Sequence, residues 1–152
     1  MTVFADSSAL VKLYADEPGH TTVGSLDALI VSSLARVECA RALWRKERLG
    51  EFSAADADLL VTAFEADYFG TGDEEPAFAA VAIRAALLDE AAALTGSHGP
   101  RAYDAVQLAS ALAARRADPG CTRFACFAHE LRAAAARSVF APIPPSRLGV
   151  RF

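Results

Sequence analysis

Along the chain, short apolar runs alternate with longer segments whose apolar positions recur every three or four residues. That alternation predicts strands separated by helices. Thr2 to Ala5 reads as a brief buried strand, and residues 7–14 as the helix that follows it. Pro18 is expected to open a second helix, which ends near the next strand, Ala28 to Ser32. Ser33 is a candidate N-cap for a helix from Leu34 to Leu49 that Gly50 stops. Ser53 is expected to cap another helix, from Ala54 to about Phe64, and residues 69–76 form a loop with two glycines and an acidic run. From Phe78 an apolar stretch leads into a helix ending near Thr95. Gly99 and Pro100 launch a further helix to about Arg116, since proline is tolerated in a first helical turn. Asp118-Pro119-Gly120 predicts a turn, Arg123 to Phe127 a strand, Glu130 to Arg137 a helix, and Val139 to Ala141 an edge strand. Strands linked by helical crossovers imply an α/β fold, with a central parallel sheet flanked by helices on both faces.

Size and composition narrow this picture without changing it. The 152 residues fit one domain spanning 1–152, and a chain that is 53% hydrophobic and 22% charged suits a filled core rather than disorder. A net charge of -4 gives no basic field announcing a nucleic-acid binder, so any such role needs its cations and acids sorted into separate patches. Cys39, Cys121 and Cys126 form no C-x-x-C pair, which reads as free thiols in a reducing compartment. The opening MTVFADSSALVKLY has neither a basic leader nor a long apolar run, and the alanine-rich stretches are broken by charges. A cytoplasmic location with no membrane span is expected.

Open parallel sheets place their chemistry at the carboxyl ends of the strands. Three acids fall there. Asp6 directly follows the first strand, Glu38 sits in the first turns of the helix after the second, and Asp104 lies near the start of a later helix. Each is flanked by apolar residues, an unusual setting for a carboxylate without a partner. Singly, each also reads as an acid favoured by a helix N-terminus, and Glu38 could pair with Arg41 or Arg45 on its own helix. Together they suggest a shared site. Two carboxylates about 4 Å apart repel by roughly 4 kcal/mol at an effective dielectric near 20, so three would cost on the order of 10 kcal/mol, comparable to the stability of a domain. A divalent cation or bound protons must offset this. An all-oxygen set suits Mg²⁺ or Mn²⁺, whereas His20, His98 and His129 are too scattered to suggest zinc.

The segment VFADSSALVKLYADEPGH resembles the opening motif of PIN-domain ribonucleases of the VapC type, the toxins of type II toxin–antitoxin pairs. VSSLARVECARAL is similar to the second, Glu-bearing motif of that family, and RAYDAVQLASALAARR to the third, Asp-bearing one. The motifs occur in the family's order along nearly the whole chain. The resemblance implies a single PIN-like domain in which Asp6 and Asp104 are the principal Mg²⁺ (or Mn²⁺) ligands. Glu38 completes the cluster directly or through water, and Ser8 steadies Asp6. It also implies hydrolysis of an RNA phosphodiester by metal-activated water, a VapB-like antitoxin as partner, and a homodimer. One position departs from the pattern: the family has a fourth acid in a T-x-D-x-x-L motif, and alignment on Leu131 places Cys126 at the Thr and Ala128 at the Asp. His129 and Glu130 are adjacent but offset, and a helix start there is expected to point them elsewhere.

Candidate RNA contacts are Arg41, Arg45, Lys46 and Arg48 with Trp44 among them, and Arg101, Arg115 and Arg116. Arg101, three positions before Asp104, is the preferred phosphate contact. The segment Leu59 to Phe69 has apolar spacing suited either to the core or to a dimer face. Two other readings stand beside the nuclease. One is a catalytically impaired PIN protein that binds RNA or an antitoxin without cutting, supported by Ala128. The other is a phosphohydrolase of the haloacid-dehalogenase type, which needs an Asp two positions after its nucleophile, where this chain has Ser8.

Overall fold

The structure is a computed structural model that describes residues 1–145, so the last seven residues of the expected 1–152 domain lie outside the described residues. Five parallel strands form one sheet in the order β3-β2-β1-β4-β5: β1 (Thr2–Ala5), β2 (Ala28–Ser32), β3 (Phe78–Val81), β4 (Arg123–Ala125) and β5 (Ala141–Ile143). β1 is central. Its residues Val3, Phe4 and Ala5 pair with Leu29, Ile30 and Val31 on one side and with Arg123, Phe124 and Ala125 on the other.

Successive side chains of a strand point to opposite faces, and the two cores follow that period. Val3, Ala5, Leu29, Val31 and Ala125 pack under α1 (Ser7–Leu10), α2 (His20–Gly24), α3 (Ala35–Arg48) and α4 (Ala54–Phe69). Phe4 and Phe124, with ring centroids 5.1 Å apart, face α6 (Ala102–Ala117) and α7 (His129–Ser138). The remaining helix, α5 (Ala85–His98), lies against α6 through Leu87, Ala91, Ala105 and Ala109. The expected α/β sheet with helices on both faces is therefore the observed one. Among the described residues, no helix is long and apolar enough to cross a membrane.

Several boundaries differ from the pattern-based expectation. β3 lies inside what reads as an apolar lead into a helix. Phe78-Ala-Ala-Val carries little strand preference of its own, and pairing with β2 through Leu29 and Phe78 decides it. The first helix keeps its α form only to Leu10, and Val11–Leu13 tightens to a 3₁₀ turn. Pro18 lies before α2 rather than in it, because Gly19 takes a left-handed φ of 100° and the helix starts after it. Ser33 does not cap α3; Leu34 holds that position with no side-chain bond, and Ser32 Oγ accepts from the Leu34 amide instead. Ser53 does cap α4, accepting from the Asp56 amide, but the helix runs on to Phe69, where Gly70 ends it. β5 sits two residues later than expected. Pro142, lacking an N–H, is tolerated there because β5 is an edge strand.

Candidate active site

The sheet order reverses between β1 and β4, and the crevice outside the carboxyl ends of these two strands is where such folds place a site. Asp6 opens that crevice. It follows β1 directly, caps the first turn of α1, and is 4% exposed. Its Oδ1 accepts from Ser8 Oγ at 2.7 Å and from the Ala9 amide at 3.1 Å, while the Cys126 thiol donates to Oδ2 at 3.3 Å. Ser8 Oγ in turn accepts from the Phe127 amide at 2.8 Å, so one hydroxyl ties Asp6 to the end of β4. Burial pushes the Asp6 carboxyl up to about 6, against the lowering effect of these donors and with the Glu38 charge adding to the rise.

Glu38, in the first turn of α3, is half-buried and its carboxyl is also raised by burial. Its Oε1 accepts from Gln107 Nε2 at 2.8 Å and from Ser7 Oγ at 3.1 Å, and Gln107 Nε2 also donates to Ser7 Oγ at 3.1 Å. Both bonds lower the Glu38 carboxyl, the neighbouring Asp104 raises it, and Arg41 lowers it. Asp104, in the first turn of α6, is raised by burial, lowered by Arg101 and raised by Glu130.

The acids thus form a row in which each is raised by the next, Asp6 by Glu38, Glu38 by Asp104, Asp104 by Glu130. This is looser than the tight convergence suggested by the spacing. Among the described residues, no three His, Cys, Asp or Glu side chains are gathered closely enough to hold a metal ion. Ala128 is the N-cap of α7 and offers that helix no side-chain bond. Glu130, in the first turn of α7, lines a separate pocket with His129, His98 and Pro100, yet it is near enough to Asp104 for its charge to raise that carboxyl.

A cleft of about 660 Å³ runs beside this row, lined by Ser7, Ser8, Glu38, Arg41 and Tyr103 with Val11, Leu34 and Val37. Past Arg41 it continues into a lobe of about 330 Å³ that holds Lys12, Arg45 and Lys46 together with Glu17, Phe127 and Ala128. Glu17 bridges Lys12 at 2.9 Å and Lys46 at 2.5 Å, so part of that lobe's positive charge is already paired. Trp44 and Arg48 line neither lobe. Arg101 caps α6 beside Asp104, as its spacing suggested. Arg115 and Arg116 lie roughly 16 Å further along that helix at 1.5 Å per residue, where Arg115 donates to the Val139 carbonyl and Arg116 grips Glu90 through both nitrogens. These last two serve packing at the far end of the fold.

Ser7, Gln107 and Tyr103 are site residues that pattern reading missed. Gln107 carried a usable signal: it lies one turn after Asp104 on the same helix face and is, with Ser110, a polar residue in an alanine-rich, buried stretch, 1% exposed. Ser7 and Tyr103 carried none beyond adjacency to Asp6 and Asp104. The segment from Leu59 to Phe69 divides, with Phe64 in the core and Leu59 and Phe69 exposed.

A family profile described as PIN domain matches residues 3–117, which include Asp6, Glu38 and Asp104. No curated protein sequence shows significant similarity to the chain. Among solved structures, PAE2754 from Pyrobaculum aerophilum superposes with a TM-score of 0.60 over 88% of this chain and 79% of that one. At 22% identity, that likeness shows a common fold.

Proposed function

Because the chain belongs to the PIN-domain family, whose members are generally nucleases, we propose that it is a metal-dependent endoribonuclease of the VapC-like toxin type. The observation that carries the reading is the acid row at the sheet's switch point, headed by the almost fully buried Asp6. Burial raises the Asp6 carboxyl to about 6, a perturbation of the kind found at functional sites. In chemistry, though not in the spacing of the described side chains, the donor set suits a hard divalent ion, since Asp6, Glu38 and Asp104 supply only oxygen. These three residues would hold Mg²⁺ or Mn²⁺. The chemistry such a cation supplies is neutralisation of charge at the phosphoryl oxygens and activation of the attacking water.

The chain's own groups do the rest. Ser8 and the Ala9 amide fix the orientation of Asp6, and Gln107 and Ser7 fix Glu38. Arg101 and Arg41 flank the row and are placed to meet the phosphates of a strand laid across it. A VapB-like antitoxin, a homodimer using exposed Leu59 and Phe69, and a cytoplasmic location complete the proposal.

The test is cleavage of a fluorogenic RNA by the purified protein with Mg²⁺ or Mn²⁺, compared with EDTA and with Asp6→Asn. Metal-dependent cutting that Asp6→Asn abolishes is the expected result; equal cutting by parent and variant would sink it. A second reading, an RNA- or antitoxin-binding protein that does not cut, is favoured by Ala128 where the family's fourth acid stands. Inducible expression in bacteria separates the two. Growth arrest by the parent but not by Asp104→Asn supports the enzyme, and equal growth supports the binder.

A further inference from the structure

We infer that Tyr103 is the platform on which an unpaired base of the substrate strand stacks, an inference that rests on the ribonuclease reading above. Tyr103 is 67% exposed, while Ala105, Gln107 and Leu108 on the same helix are buried. None of the aromatic pairs of the described residues includes it. It precedes Asp104 in the chain and lines the larger cleft together with Glu38, so the ring stands beside the acid row rather than on a remote surface. The same cleft carries Val37, also 67% exposed, beside the partly exposed Leu34. Leaving such apolar surface in water forgoes burial energy, and the packing of the fold gives no reason for it.

The charges around this patch select its occupant. Arg41 lies in the cleft wall, Arg45 lies past it beside Lys12 and Lys46, which Glu17 pairs, and Arg101 stands near Asp104. An apolar wall with cations beside it matches a single strand, whose phosphates alternate with flat, weakly hydrated bases. Aromatic side chains bind such bases face to face with little regard to sequence. A base inside a duplex is already stacked and paired, and offers its face to nothing. Tyr103 would therefore make the site select single-stranded or looped RNA, holding the nucleotide next to the bond that the acids address.

The experiment uses a short RNA with 2-aminopurine at one position, as a single strand and annealed to its complement, with Ca²⁺ in place of Mg²⁺. Binding and aminopurine quenching are read for the parent, Tyr103→Phe and Tyr103→Ala. Parent and Tyr103→Phe should quench and bind the single strand in preference to the duplex. Tyr103→Ala should lose the quench and bind roughly 5- to 100-fold more weakly, the loss of one stacked base. Because the side chain is exposed, the alanine variant should fold, and circular dichroism checks this. Binding and quenching by Tyr103→Ala equal to the parent's would overturn the inference while leaving RNA binding intact. Absence of RNA binding by every form would overturn the ribonuclease reading and this inference with it.

Discussion

Gln107 Nε2 stands 2.8 Å from Glu38 Oε1, and through this bond helix α6, which carries Asp104, fixes the acid carried by helix α3. The amide is 1% exposed and donates also to Ser7 Oγ, while its own oxygen is buried without a hydrogen-bond partner among the described residues. A buried acceptor left unmade costs free energy, so the side chain is held in this orientation by its two donor bonds. One glutamine thus joins the first residue of α1, the Glu of α3 and the Asp helix.

Gln107→Leu should keep the fold, since it exchanges two hydrogen bonds and one unsatisfied oxygen for a side chain of similar volume. The stability change should stay within about 1–2 kcal/mol. The Gln107 bond lowers the Glu38 carboxyl, so its loss should move the acid limb of the cleavage pH profile to higher pH, with about a tenfold drop in rate near neutrality. A pH–rate profile of the two proteins checks this. An unchanged acid limb would mean that Glu38 needs no such support.

Asp6 makes a signed prediction about pH. Its carboxyl is raised from 3.8 to about 6 in the fold, chiefly by burial, so between those values the folded state binds more protons than the unfolded one. Stability should therefore fall as pH rises from about 4 through 6. The full effect is on the order of 3 kcal/mol, from about two pKa units. Asp6→Asn removes the titration. Relative to the parent, the metal-free variant should gain most of that amount between pH 4 and pH 7.5, read by urea unfolding at both pH values. A constant difference would show that the carboxyl titrates normally.

Ala128 sits in extended backbone at φ -78° and ψ 118° as the N-cap of α7, with no side-chain bond to offer. An aspartate or serine there can accept from a free amide of the first turn, a gain of about 1 kcal/mol. The sequence pattern alone suggests that an acid at 128 would destabilise the metal-free protein through repulsion. The cap position, beside a lobe that also contains Lys12 and Lys46, argues for the opposite sign. Ala128→Asp and Ala128→Ser should both raise the melting temperature by a few degrees, and only Ala128→Asp should tighten Mn²⁺ binding in calorimetry. A drop in melting temperature for Ala128→Asp alone would restore the repulsion argument.

The three thiols should be inert in the native protein. Cys39, Cys121 and Cys126 are 0% exposed, and burial pushes each thiol up, with the Asp6 charge adding to this at Cys39 and Cys126. Maleimide at neutral pH should label none within minutes, and all three once the chain is unfolded in guanidinium. Rapid native labelling of Cys126, which donates to Asp6, would show that the crevice opens in solution.

The order of most elements, the place of Asp6 directly after the first strand, and the sheet with helices on both faces follow from local information. Apolar runs bounded by polar turns specify strands, 3.6-residue periodicity specifies helices, and a motif of adjacent residues carries its own spacing. The Ser53 cap was legible for the same reason, because the cap and the amide it serves are three residues apart. The alanine-rich β3 was not, since its strand character comes from β2 and not from its own residues.

What bridges distant parts of the chain was decided by the tertiary structure alone. Gln107 meets Glu38 across 69 residues, Cys126 meets Asp6 across 120, and Glu130 acts on Asp104 from another helix. Burial of Asp6, the source of its raised carboxyl, likewise depends on strands and helices far along the sequence. Local pattern names the acids. The energies that make them a site come from desolvation and through-space charge, which exist only once the chain has brought those groups together.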